Sequence, residues 1–446
     1  MNGLGVKPYF YFNHLSLSDQ MRKEKDTITL KELFNTPGEL YACFLTTFVF
    51  DIGWLLREVP ILKTVQVQFV HDGSLSEDEE RLIHNLDFQC IKVSPFRGCH
   101  HVKIMVMLYE GGLRFVLSTG NLLEQDYEIK TNGIYVRDFK PKSNSFSKMN
   151  DIGEHFLTTM RYYLNSINTD IGYLDDFDFS TIDAWLLLSV PGKFHGDMAS
   201  EVGLGQLSSL LKSFSFGSQK DQKTQEEHKT SALINPVVPT KQSQKTSTSQ
   251  KGLKSPEIEC AEQAVIISQS SSLGYLSSNF TEKFKSSFVP NVHHIQLKTL
   301  WPTEDFVRVS ATGYAGGQSL FLTQQNVKSG VALYRYEPRF PRHYIQPHIK
   351  TYLVKVGDTF RCGVLTSANM SAAAWGKPMS YGIDISNFEM GLLFVENFDV
   401  NRFKIPFDSN DLKAYGPDDR PWIVDVDHSV MDSEGYIMKD GNLVAV

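Results

Sequence analysis

Cys99-His100-His101-Val102-Lys103-Ile104-Met105-Val106-Met107-Leu108-Tyr109, carried through Gly111-Gly112 to Leu113-Arg114-Phe115-Val116-Leu117-Ser118-Thr119-Gly120-Asn121, decides how the rest of this chain is read. The apolar run Ile104 to Tyr109 predicts a buried strand, and Gly111-Gly112 a turn. Leu113 to Leu117 then returns as a second strand alongside the first. Residues two apart in an extended segment share a face, so His101 and Lys103 lean out together at the head of the hairpin. The returning strand brings Asn121 back to the same end. One imidazole, one ammonium and one amide are thereby expected at one end of a sheet.

A His-x-Lys triplet alone carries little weight, because any surface strand can supply one. Here it occurs twice. His348-Ile349-Lys350 opens the strand-like run Thr351 to Val356, Gly357-Asp358 supplies the turn, and Phe360 to Leu365 leads to Thr366-Ser367-Ala368-Asn369. In both copies an asparagine follows the histidine by about twenty positions. The repetition predicts duplicated halves that each give one histidine to a shared site.

The chain has 446 residues, enough for two domains, with 41% hydrophobic and 21% charged residues, as in an ordinary globular protein. Its formal net charge of −7 argues against broad, non-specific nucleic-acid binding but leaves room for a narrow cationic groove. Five scattered cysteines form no CxxC pair, so neither a disulfide framework nor a zinc site is expected, and no metal or other cofactor. The first residues do not read as a secretory signal. The most apolar segment, Leu40 to Leu56, is interrupted by Thr46, Thr47 and Asp51, which predicts a buried helix instead of a membrane span. A reducing compartment and no membrane partner are expected.

Helices are expected over Thr27 to Phe34, Glu39 to Val59, Glu77 to Leu86, Ile152 to Ile167 and Leu204 to Phe214, from their apolar spacing. Strands are expected at Val65 to Val70, Ile91 to Val93, Gly133 to Val136, Trp185 to Ser189, Ala264 to Ile267, Val292 to Leu297 and Met390 to Phe394. Tyr314 to Gly317 reads as a glycine-bearing loop. The mixture is α/β. The first half is expected to span 1–190 and the second 191–446. A mobile insertion is expected at 217–256, where Lys, Gln, Ser and Thr replace aromatics and little apolar surface remains to offset ordering entropy.

Two histidines, two lysines and two asparagines around one pocket suit cleavage of a phosphodiester. Phosphoryl transfer requires the equatorial oxygens to be held and their charge neutralised. Lys103 and Lys350 supply positive charge and Asn121 and Asn369 neutral donors, without a metal. One histidine can attack phosphorus while the other protonates the departing oxygen and later takes a proton from water. An unperturbed imidazole, with pKa about 6.5, is suited to both acts. A carboxylate beside an imidazole would set its tautomer, and Glu389 is the candidate nearest by motif position.

The paired motifs resemble the phospholipase D superfamily, and more closely the tyrosyl-DNA phosphodiesterase family. The superfamily's usual aspartate five residues after the lysine is replaced by Leu108 and Lys355. Further resemblance lies in Pro347 to Tyr352, Thr366 to Gly376, Gly313 to Gly317, Ser189 to Phe194 and Asp419 to Trp422. The likeness implies two pseudo-symmetric phospholipase D-like α-β-α sandwich domains sharing one active site at their interface. It implies that His101 is the nucleophile and His348 the general acid and then base, with phosphate held by Lys103, Lys350, Asn121 and Asn369. Glu389 and Asn132 map to residues behind the histidines, Asn132 standing where the family carries a glutamine. Ser271, Ser272, Ser371 and Phe96 would touch DNA, and Ala372 replaces a family lysine. The implied substrate is DNA with a 3′-phosphotyrosyl end left by topoisomerase I, or another blocked 3′ end, in the nucleus. A monomer is expected, because one chain can complete the site. The alternatives are another phosphodiesterase of the superfamily, cleaving nucleic acid or lipid, or an inactive nucleic-acid binding module.

Overall fold

A computed structural model of the chain describes residues 9–143, 149–214, 263–292, 294–395 and 397–446. The stretch 217–256, expected as an insertion, lies outside the described residues.

Nine strands form the first sheet: β1 (Tyr11–Asn13), β2 (Thr27–Ile28), β3 (Leu40–Thr47), β4 (Gln66–His71), β5 (Phe88–Lys92), β6 (Ile104–Tyr109), β7 (Gly112–Ser118), β8 (Gly133–Pro141) and β9 (Phe177–Asp178). Their order is β2-β1-β8-β7-β6-β3-β4-β5, with β9 added beside β8. β3, β4 and β5 run parallel, joined by helices Ile52–Glu58 and Glu77–Ile83, while β6, β7 and β8 form an antiparallel meander. Such parallel neighbours need a crossover, and the helices provide it.

β10 (Trp185–Ser189) and β11 (Gly192–His195) follow, then β12 (Ala264–Gln269), β13 (Ile295–Trp301), β14 (Leu333–Arg335), β15 (Thr351–Val356), β16 (Thr359–Thr366), β17 (Lys377–Met379), β18 (Gly382–Ile385) and β19 (Glu389–Phe394). The second sheet has the order β10-β19-β16-β15-β12-β13-β14. Its path β19-β16-β15-β12-β13-β14 repeats β8-β7-β6-β3-β4-β5, parallel members included. The duplication expected from the motifs is therefore present strand for strand. β11, β18 and β17 make a small separate sheet.

The period-two alternation of the strands divides their side chains between two layers. Ile104, Val106, Leu353, Leu365, Met390 and Leu392 enter one core between the sheets. Met105 and Met107 face the opposite way, against Trp54 and Leu55 of the helix Ile52–Glu58. Tyr352, Val354, Val364 and Leu393 face Phe280, Phe284 and Phe288 of the helix Ser278–Phe288, and Leu207 and Leu211 of Gly203–Lys212. Each sheet is thus covered by helices outside and by the common core inside.

Four expectations are corrected. Leu40 to Leu56 is a strand followed by a helix: β3 is central and nearly wholly buried, so its apolar run has no polar face to betray an extended period. Asp51 starts the helix by accepting from Trp54 N at 2.8 Å. Within Thr27 to Phe34 only Leu30–Leu33 is helical, begun by a capping box between Thr29 and Glu32. Trp185–Ser189, expected to close the first half, pairs instead with β19 as the edge of the second sheet. Tyr314 to Gly317, read as a loop, lies in a short helix, Gly313–Gly317.

Candidate active site

Both His-x-Lys segments lie just before a strand, and each is tied to the opposite sheet. His101 N donates to Phe388 O at 3.0 Å, immediately before β19. His348 N donates to Thr131 O at 2.9 Å, shortly before β8. Each histidine is therefore held by the segment that enters the other half's strand. Each lysine folds back on its own histidine: Lys103 Nζ donates to His101 O at 2.9 Å, and Lys350 Nζ donates to His348 O. Lys350 Nζ also reaches Thr119 O of the first half at 3.4 Å. All four side chains are buried.

The partners of the imidazoles occupy equivalent places but differ in charge. His101 Nδ1 lies 2.9 Å from Glu389 Oε2. Ser367 Oγ donates to that same oxygen, and Asn387 Nδ2 donates to Oε1 at 3.1 Å. On the other side, His348 Nδ1 lies 3.3 Å from Asn132 Oδ1, to which Thr119 Oγ1 donates at 2.8 Å. The amide of Asn132 thus keeps a histidine contact despite its short side chain. With Nδ1 occupied in both rings, Nε2 is the nitrogen left for chemistry. The half-buried Phe48 sets its ring edge-on to His101, with centroids 5.4 Å apart.

Burial lowers the pKa of His101, against the pull of Glu389. Burial, then Lys350, Lys130, Lys103 and His101, hold His348 well below the ordinary imidazole range. Burial brings Lys103 down to about 8, opposed by Glu389. Lys350 is pushed far down by burial and by Lys103. Burial would raise Glu389, but His101, Lys103 and the Ser367 hydroxyl outweigh it and leave the carboxyl below its usual range. The bonds His101 N to Phe388 O, His348 N to Thr131 O and Lys350 Nζ to Thr119 O bring both motifs to one seam between the halves. Such a centre, with cations destabilised by desolvation, favours an incoming anion.

The two asparagines are held by different devices. Asn369 Oδ1 accepts from Ser271 N at 3.1 Å, Ser271 Oγ at 3.2 Å and Ser272 N at 3.1 Å. Its oxygen is therefore satisfied, and its amide nitrogen is the end available to an anion. Asn121 donates instead, through Nδ2 to Asp126 Oδ2 at 2.8 Å. Ser271, expected at a DNA surface, is buried with its hydroxyl spent on Asn369; its position is that of a support for the amide. Ser272 is partly exposed, and its backbone serves the same amide. Ser371 caps the short helix Ala372–Trp375 by accepting from Ala374 N at 3.2 Å. Phe96 stands fully exposed on the segment leading to His101.

Asp126, Lys130, Ser367, Thr119 and Phe48 were not reached by reading the motifs. Ser367 and Thr119 occupy matching places two residues before each asparagine, a repetition that could have found them. Asp126 follows Asn121 by five residues, where the second copy has Ala374, so duplication gives no signal for it. Among the described residues no group of three or more His, Cys, Asp or Glu is arranged to hold a metal ion, and no helix is long and apolar enough to cross a membrane.

Two pseudo-symmetric α-β-α halves that meet at paired His-x-Lys and asparagine side chains define a phosphodiesterase of the phospholipase D-like class. A family model described as tyrosyl-DNA phosphodiesterase matches residues 9–429, and the chain belongs to that family. It is accordingly a hydrolase of phosphodiesters. A probable tyrosyl-DNA phosphodiesterase of Caenorhabditis elegans is 26% identical over 468 residues, covering 98% of this chain and 93% of the relative. Tyrosyl-DNA phosphodiesterase 1 of Arabidopsis thaliana is 25% identical over 391 residues, and the match spans 80% of this chain but only 57% of that relative's length. The crystal structure of the yeast tyrosyl-DNA phosphodiesterase shares the fold, with a TM-score of 0.66 at 16% identity, over 93% of this chain and 99% of the yeast one.

Proposed function

We propose that this chain hydrolyses the bond between a DNA 3′ phosphate and a tyrosine of a topoisomerase I-derived peptide, or another group blocking a 3′ end, through a covalent phosphohistidine. The supporting observation is the unequal pairing of the histidines: Nδ1 of His101 lies 2.9 Å from the Glu389 carboxylate, whereas Nδ1 of His348 lies 3.3 Å from the Asn132 amide oxygen, with the Asp126 carboxylate further off at 3.4 Å. A carboxylate partner makes the imidazole more basic and turns Nε2 towards phosphorus, which suits the nucleophile.

His101 Nε2 forms the P–N bond as the bond from phosphorus to the tyrosyl oxygen breaks. His348 gives its Nε2 proton to that oxygen, whose phenol has a pKa of about 10 in water. Water then enters, gives a proton to His348 and attacks phosphorus. The P–N bond breaks, the DNA leaves with a 3′ phosphate, and both histidines return to their starting states. Lys103, Lys350 and the Asn369 amide hold the equatorial oxygens throughout, so the scheme draws its charge stabilisation from side chains alone. DNA passes along the Phe96 side with Ser371 and Ser272 nearby, and the protein acts as a nuclear repair enzyme and a monomer.

The test is tyrosine release from a 3′-phosphotyrosyl oligonucleotide, resolved on a gel with EDTA present. Release with a protein–DNA adduct trapped by denaturation is expected. No release would overturn the substrate, and release abolished by EDTA would overturn the metal-free scheme. Cleavage of plain DNA or phospholipid in place of the tyrosyl end would favour another phosphodiesterase of the superfamily.

A further inference from the structure

Glu389 serves His101, and the equivalent place behind His348 holds the uncharged Asn132. A second carboxylate nevertheless reaches His348 by another route. Asp126 is buried, and its Oδ2 lies 3.4 Å from His348 Nδ1. The same oxygen accepts from Asn121 N at 2.7 Å and Asn121 Nδ2 at 2.8 Å, while Oδ1 lies 3.6 Å from Lys130 Nζ. The backbone carbonyl of Asp126 accepts from Asn132 Nδ2, which turns Asn132 Oδ1 towards the ring. Asp126 therefore acts on His348 twice, through its own carboxylate and through the orientation of the neighbouring amide. Its chain position has no acidic counterpart in the second copy, where Ala374 stands.

From this geometry we infer that Asp126 is the positioning residue of His348, steadying its Nδ1–H and stabilising the imidazolium form that delivers the proton to the leaving oxygen. The inference rests on the reading of His348 as general acid and base. The groups facing His348 are Asn132 and the Asp126 carboxylate on one side, and on the other the lysines Lys350, Lys130 and Lys103, with the imidazole of His101 beside them. Against so many cations an imidazolium is disfavoured, and Asp126 is the one carboxylate within 4 Å of that ring among the described residues. Asn121 shares Asp126, so that amide and the proton donor are held by one side chain.

Asp126→Asn removes the charge and leaves the backbone carbonyl in place. On a 3′-phosphotyrosyl oligonucleotide the expected result is tyrosine release slowed roughly tenfold at pH 7.5. The alkaline limb of the rate should move about one pH unit lower, because His348 loses its proton sooner, with KM changed less than about threefold. Asp126→Glu, which keeps the charge, should hold the limb at its wild-type place. If Asp126→Asn does not fold, the Glu variant decides: a limb displaced downwards despite the retained charge overturns the inference. A raised KM with an unmoved limb in Asp126→Asn would reduce Asp126 to a support for Asn121 and overturn it as well. Histidine 15N NMR of the intact protein gives a reading without turnover. The His348 Nδ1 resonance should differ between wild type and Asp126→Asn, and an unchanged resonance counts against the inference. A wild-type protein that releases no tyrosine would strike the functional reading, and the NMR comparison would still judge Asp126.

Discussion

The carboxylate of Glu389 meets the imidazole of His101 across 288 positions of sequence, with Oε2 2.9 Å from Nδ1. Glu389→Gln keeps the shape and loses the charge. Formation of the covalent adduct, measured in a single turnover, is expected to slow 10- to 100-fold, roughly as for other residues that orient a reactive histidine. Adduct formation at the wild-type rate would remove Glu389 from the mechanism.

The two histidines should fail differently. His101→Ala should give no adduct at all. His348→Ala should slow hydrolysis of the adduct, so that DNA-linked protein builds up on denaturing gels. Identical behaviour of the two variants would contradict the division of roles.

Ser271→Ala removes one of three donors to Asn369 Oδ1 and leaves both backbone donors in place. The loss of one neutral hydrogen bond is worth about 1 kcal/mol, so kcat/KM should drop about fivefold. Because Ser271 is buried behind the asparagine, the salt dependence of DNA binding should stay as in wild type. A change in that slope would mean a direct phosphate contact.

His100 is buried against Tyr163 Oη at 2.8 Å, and burial first, with Lys103 and His101, brings its pKa down to about 3. Its folded pKa thus lies below the unfolded value of about 6.5. As pH falls below about 6.5 the unfolded chain takes the proton and the folded one refuses it, so stability decreases until pH approaches 3. For this one group the slope is about 1.4 kcal/mol per pH unit. His100→Phe should melt lower at pH 7, having lost a hydrogen bond, yet show a shallower loss of Tm between pH 7 and pH 5. A slope equal to wild type would assign the acid sensitivity elsewhere.

Phe96 has a fully exposed ring, so Phe96→Ala should leave the melting temperature unchanged. Stacking of a base on an aromatic ring is worth about 1–3 kcal/mol. Binding of single-stranded oligonucleotides should weaken accordingly, as read by fluorescence anisotropy. Unaltered affinity would exclude the ring from the DNA path.

The hairpins that carry the site are legible because their signals are local: an apolar run, a glycine turn and a return. Thr351–Val356 and Trp185–Ser189 begin and end where their sequence suggests. β3 is hidden by its own burial, since a strand covered on both faces shows the same unbroken apolar run as a buried helix. The partnership of Trp185–Ser189 is equally hidden, because pairing with β19 is a long-range choice that no local pattern encodes. His101, Lys103, His348, Lys350 and both asparagines stand out through their repetition. Asp126 does not, because it has no copy and lies in a short polar helix, Glu124–Glu128, among other acidic residues. Ser271 is recognisable as a site residue, but only its burial reveals which way it faces.

His101 hangs from Phe388 and His348 from Thr131, so each half holds the other's reactive ring. A fragment carrying a single sheet would own a histidine with nothing to aim it. Activity is therefore indivisible in this chain: two separately expressed halves should be silent and should recover turnover only by reassembling along that exchanged backbone seam.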